Sequence, residues 1–119
     1  MLKEGANAEL NDKNGWTPLL WAARNGNEAA VKLLLITLGV EADSKVTKGH
    51  GTGRTALSWA AERGYVAIVK LLLGEGVGVD SKDERGWMPL SYAAKNGHTT
   101  IVSLLLENGA KATSGRVLG

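Results

Sequence analysis

The chain has no cysteine, only two histidines and two prolines, and no apolar run approaching the roughly 20 residues that cross a bilayer. Without cysteine there is no disulfide framework and no thiolate zinc site, which fits a reducing, intracellular setting. The opening Met1-Leu2-Lys3-Glu4-Gly5 lacks the apolar stretch of a secretory leader, so the expected location is intracellular and cytoplasmic. A dominant charge sign is missing too. Fourteen Lys and Arg stand against twelve Asp and Glu, net +2, and the basic residues are dispersed along the chain. That spread argues against a membrane or nucleic acid as partner and leaves an acidic patch on a protein as the better electrostatic match. At 119 residues with 44% hydrophobic content the chain is one globular domain, 1–119.

What the sequence does have is repetition. Asn14-Gly15-Trp16-Thr17-Pro18-Leu19-Leu20-Trp21-Ala22-Ala23 returns as Gly53-Arg54-Thr55-Ala56-Leu57-Ser58-Trp59-Ala60-Ala61 and again as Gly86-Trp87-Met88-Pro89-Leu90-Ser91-Tyr92-Ala93-Ala94. Each copy is followed by a glycine and an apolar run. Units of this kind bury their apolar faces against one another, in a stacked array.

The signals inside one unit are ordered. Thr17 before Pro18 reads as an N-cap and first helical residue, and Thr55 repeats the cap. Met88 has no hydroxyl and predicts a weaker one. The first helix runs through paired alanines to Gly26, Gly64 or Gly97, suited to a left-handed helix end. The second helix is apolar over a wide arc (Val31, Leu33, Leu34, Leu35; Ile68, Val69, Leu71, Leu72, Leu73; Ile101, Val102, Leu104, Leu105, Leu106), as for a helix sandwiched between neighbours. Leu105, with no later repeat beyond it, is expected to contribute less than Leu72. A glycine turn and a short extended stretch lead to the next β-turn.

With its Thr-Pro-Leu, Ala-Ala and Gly signatures in fixed order, the unit resembles the ankyrin repeat, whose period is about 33 residues. The resemblance implies an all-α solenoid of antiparallel helix pairs with β-turn fingers: a partial repeat at 1–11, then repeats at 12–45, 46–82 and 83–119. Leu-Ser-Trp-Ala-Ala-Glu-Arg-Gly also resembles the ankyrin arrays of fungal NACHT-type receptor proteins, and the incomplete units at both ends read as a piece cut from a longer array. Thr55 to Met88 spans 33 residues but Thr17 to Thr55 spans 38. One extra residue falls in Ile36-Thr37-Leu38-Gly39 and four in Val46–Gly53. The family's helix-one histidine is replaced by Leu20, Ser58 and Ser91, so its inter-repeat hydrogen bonds do not carry over.

Catalytic and metal signals are weak. Gly49-His50-Gly51-Thr52-Gly53-Arg54-Thr55 lacks the spacing and lysine of a phosphate loop and reads as a flexible tip whose removal would leave stability unchanged. His50 and His98 have no companion ligands at metal spacing. Asp12, Asp43, Asp80 and Asp83 recur at turns, where Asx bonding accounts for them. No enzyme, cofactor or metal is expected.

By the resemblance, the partner-facing concave residues are Lys13, Asn14, Trp16, Arg24 and Asn25, then Arg54, Glu62 and Arg63, then Glu84, Arg85, Trp87, Lys95 and Asn96. Trp21, Trp59 and Tyr92 are expected between repeats. For Trp16 and Trp87 two readings are open: projection from the rim, or folding down onto the turn stems. The resemblance implies a non-catalytic protein-interaction module; a structural spacer in a larger receptor and a weak nucleic-acid or phosphoinositide binder are the alternatives.

Overall fold

A computed structural model of the protein describes residues 12–110; the partial repeat at 1–11 and the tail lie outside the described residues. Within them are six main helices in three pairs, all-α apart from a single antiparallel bridge between Lys45 and Thr55. The pairs are α1 (Pro18–Asn25) with α2 (Glu28–Lys32, continued by a π-helical turn Leu33–Thr37), α3 (Ala56–Arg63) with α4 (Val66–Gly74), and α5 (Pro89–Lys95) with α6 (Thr99–Glu107). First helices pack on first helices and second on second along the stack.

Each first helix starts where its cap predicts. Thr17 Oγ1 accepts from Leu20 N at 3.1 Å, and Thr55 exchanges bonds with Ser58 in a reciprocal capping box. At Met88 only the return bond from its N–H to Ser91 Oγ is present. The serines standing where the family has histidine thus close the helix entrance. The alanines Ala23, Ala60, Ala61 and Ala93 are fully buried, and their small size lets the next pair approach.

An inter-repeat contact is made instead at the start of the second helices, seven positions after Ser58 and Ser91. Tyr65 and His98, each at the start of a second helix, lie over the helix-terminal glycine of the preceding repeat, Gly26 and Gly64. A Cβ on either glycine would come within 2.7–2.8 Å of the ring, and both have positive φ, so glycine is required there twice over. His98 Nε2 also lies 2.9 Å from Glu62 O.

The extra residue in the first repeat is absorbed inside the helix. Gly39 follows Gly26 by thirteen positions, but Gly76 follows Gly64 and Gly109 follows Gly97 by twelve, and the surplus widens one turn: Leu38 N donates to Leu33 O at 3.0 Å, an i to i−5 bond. Leu34 and Leu35 stay buried while Leu33, Ile36 and Leu38 are 51%, 64% and 41% exposed. The second helices are therefore not buried all round. Their outer faces meet solvent, and Leu33 and Leu106 are corrected from core to surface positions.

The four-residue insertion is not a loose tip either. Val46 and Gly53 N–H groups bond across the stem to Arg54 O and Val46 O, Thr47 N donates to Asn14 O in the turn before, and Glu84 N in the turn after donates to Thr52 O. The finger is hydrogen-bonded to both neighbours, with Gly51 lying against the Trp59 ring.

Candidate interaction surface

The three residues at the register position expected to face a partner, Trp16, Arg54 and Trp87, instead fold back. Each stands immediately before a helix cap, and each meets the fourth residue of its own first helix, the geometry of a hydrophobic staple. Trp16 stacks on Trp21 with ring centroids 4.4 Å apart, Trp87 lies 5.1 Å from Tyr92, and the Arg54 guanidinium carbon sits 3.7 Å from the centroid of Trp59. The first two staples then reach the next repeat: Trp16 is 5.3 Å from Trp59, and Arg54 is 3.9 Å from Tyr92. A ladder of side chains, Trp21, Trp16, Trp59, Arg54, Tyr92, Trp87, runs across all three repeats.

This corrects the expected contact set. Trp16 is 8% exposed and Arg54 6%, so neither presents its side chain to a partner; Trp87 is half-buried. Trp21, expected between repeats, is 43% exposed because it ends the ladder, with its staple partner on one face only. Trp59 and Tyr92 are buried between repeats as expected.

Arg54 is tolerated in the interior because its donors are satisfied. It bonds Ser58 O at 3.0 Å and Ser58 Oγ at 3.3 Å, and pairs with Glu62 at 2.8 Å, the one ion pair among the described residues. Tyr92, on its other side, donates its hydroxyl to Asp83 Oδ2. Burial, and then this hydrogen bond, pushes the Tyr92 hydroxyl up to about 12. Asp83 in turn accepts from the N–H groups of Arg85 and Trp87, as Asp12 does from Asn14 and Trp16, so these aspartates hold the β-turns as expected.

Above the ladder lies a groove of about 260 Å³ between the first helices and the fingers. It gathers eight of the thirteen expected residues, Arg24, Arg54, Glu62, Arg63, Glu84, Arg85, Trp87 and Lys95, together with His50, Trp59, Asp83 and Tyr92. Lys13, Asn14, Trp16, Asn25 and Asn96 fall outside it. Asn14 receives the finger's Thr47 through its carbonyl, and Asn96 Nδ2 bonds Glu62 O and Tyr92 O, so both join repeats to one another. Sequence reasoning missed His50, Trp59, Asp83 and Tyr92 as groove-lining residues. The staple spacing, an apolar or stackable residue before the cap and an aromatic five positions on, is the unused signal that would have placed the ladder. Among the described residues no cluster of three or more His, Cys, Asp and Glu is arranged to hold a metal, and no helix is long and apolar enough to cross a membrane.

The fold and the repeated turn, helix, loop, helix unit agree with a comparison against family models, in which the model for ankyrin repeats in three copies matches residues 1–83 and again 36–115. The chain belongs to the ankyrin repeat family. A search of curated proteins returns no match. Ankyrin repeats are in general protein-interaction modules and are typically without catalytic activity of their own.

Proposed function

We propose that the protein is a non-catalytic binding module that docks a protein partner along the groove bounded by its first helices and finger turns. The observation that carries this is the charge inventory of the groove. Arg24, Arg63, Arg85 and Lys95 line it without an ion pair among the described residues, while Arg54 is taken up by Glu62. A fold held together by stacked rings at its floor leaves Arg63, Arg85 and Lys95 exposed at the rim, with Arg24 half-buried against the rings, and arginine beside aromatic surface is the composition of binding hot spots.

The test is site-directed photo-crosslinking in cells. A benzophenone amino acid replacing Arg63 or Lys95 should give covalent adducts with a discrete partner. The same residue at Lys70 or Ser103, exposed on second helices, should give none. Adducts confined to the second helices would refute the reading. They would favour the alternative of a structural spacer stacked against other segments, for which the exposed Trp21, Leu33 and Ile36 of the first repeat are the supporting observation.

A further inference from the structure

Only two buried side-chain donors among the described residues lack a hydrogen-bond partner, Arg24 Nε and Trp59 Nε1, and both residues line the same groove. The Arg24 guanidinium carbon is 5.4 Å from the Trp59 ring centroid, and Trp59 is 2% exposed. Neither group can accept a hydrogen bond; indole and guanidinium offer protons only. Buried donors are satisfied in nearly all folded proteins, and leaving one unmade is costly. Two orphans of the same polarity, in two residues that line one groove, call for an acceptor, and because both atoms are shut off from solvent it reaches them by displacing the Arg24 side chain from the Trp59 ring.

The charges around them say which acceptor. Among the described residues, Arg63, Arg85 and Lys95 line the site without ion pairs, Glu62 is bound to Arg54, and Asp83 already accepts three hydrogen bonds. Of the groove's carboxylates only Glu84 has no partner among the described residues. An isolated negative charge entering from outside therefore meets several free cations, whereas a phosphodiester backbone, negatively charged at every step, would have to run past Glu62, Asp83 and Glu84 as well. A cavity of about 260 Å³ has room for one or two side chains, not for a folded domain.

Resting on the reading of the groove as a protein-docking face, we propose that its occupant is an extended acidic segment of the partner polypeptide, with one Asp or Glu carboxylate seated between Arg24 and the indole N–H of Trp59. Arg63 and Lys95 receive flanking acidic residues. The acidic charge of the segment, not its apolar content, then sets affinity.

Fluorescence anisotropy with labelled, C-terminally amidated dodecapeptide pools tests this at physiological salt. One pool carries two glutamates at fixed positions in an otherwise neutral random background, its control carries glutamines there, and a labelled U12 RNA is the third probe. The glutamate pool should bind at least about tenfold more tightly than the glutamine pool, and Arg24→Gln or the exposed Arg63→Gln should each reduce that preference several-fold. On binding, the Trp59 indole N–H resonance should move downfield, a signal absent from Trp59→Phe. Arg63 is exposed and its side chain makes no hydrogen bond or ion pair among the described residues, so its variant remains informative if Arg24→Gln is unstable.

Equal binding of both peptide pools overturns the acidic-segment inference alone and leaves the groove as a docking face. Binding of U12 RNA in preference to the glutamate pool, or no binding of any probe, overturns it as well. In those cases the crosslinking pattern separately decides the broader reading.

Discussion

Arg54, from the second repeat, holds its guanidinium carbon 3.9 Å from the ring centroid of Tyr92 in the third. Trp59 covers the guanidinium's other face at 3.7 Å. A cation removed from water between two aromatic faces is stabilised by both ring quadrupoles, and its planar head stacks as a third ring would. In the middle repeat arginine thus takes the structural place that tryptophan has in the outer two.

Replacing Arg54 should therefore destabilise the protein more than removing its salt bridge does. Arg54→Ala is expected to cost about 2–4 kcal/mol, by loss of the stack and of the bonds to Ser58. Glu62→Gln should cost about 1 kcal/mol or less, because Glu62 is a third exposed and its pairing is screened. Arg54→Lys should recover less than half of the loss, since an ammonium cannot stack. Urea denaturation of the three variants measures all of this, and a Glu62→Gln loss as large as that of Arg54→Ala would show the ion pair, not the stack, to be the main term.

Tyr92 gives the ladder a pH limit. Its hydroxyl is raised by burial and by the bond to Asp83, to about 12 against an ordinary value near 10. A folded-state value above the unfolded one means that the neutral phenol is favoured by folding. Its contribution is fully present below about pH 10 and is lost as the pH rises through 12. Tyr92→Phe should lower stability at neutral pH by deleting the bond to Asp83, yet make the fall in stability between pH 10 and 12 shallower. Ultraviolet titration of the folded protein should show that the phenolate signal removed by the substitution is centred near pH 12. A signal centred near 10 would mean that Tyr92 is open to water.

The helix pairs and their caps were legible because they are set by local chemistry. Thr17, Pro18, Thr55 and the terminal glycines act within a turn or two of themselves. Trp16, Trp21 and Arg54 were assigned by repeat register, which fixes a Cα but not the direction of a long side chain. Trp16 turned inward because Trp21 and Trp59 offered it two faces, and Arg54 followed because Ser58 and Glu62 satisfied its donors. The same limit applies to the extra residue in Ile36–Gly39: its position was countable, but that it would widen a helical turn and not lengthen the loop depended on keeping Leu34 and Leu35 buried. Of the candidate site, the cations at the rim were legible. The orphan donors were not, since they exist only once the Trp59 ring is seated under Arg24.

The finger offers a sharper test of its packing than deletion. Gly49 and Gly51 both have positive φ, +83° and +84°, so alanine at either carries a similar backbone penalty. At Gly51 the new Cβ would also lie 2.8 Å from Trp59 Cζ2, whereas at Gly49 the nearest atoms belong to Asn14 at 3.6 Å. Gly51→Ala is expected to cost about 2–3 kcal/mol and Gly49→Ala about 1 kcal/mol. Equal losses in thermal denaturation would mean that the tip lifts away from Trp59 in solution.

The third repeat was expected to be energetically weaker than the second, and the burial of its core leucine argues otherwise. Leu72 and Leu105 are both 0% exposed. Leu105 lies on α6, which packs against α5 in its own pair and against α4 in the preceding one. The outer face of the same helix is carried by Leu106, 45% exposed. Leu72→Ala and Leu105→Ala should accordingly lose similar amounts, about 2–5 kcal/mol each, through lost burial and the cavity left behind. Leu106→Ala should stay within about 0.5 kcal/mol of the parent, as for a surface change. Urea midpoints at constant m-value check the set. A Leu105 loss well under half that of Leu72 would mean that α6 frays from the stack at equilibrium, and a large Leu106 loss would mean that its exposed face is covered in solution by a second chain.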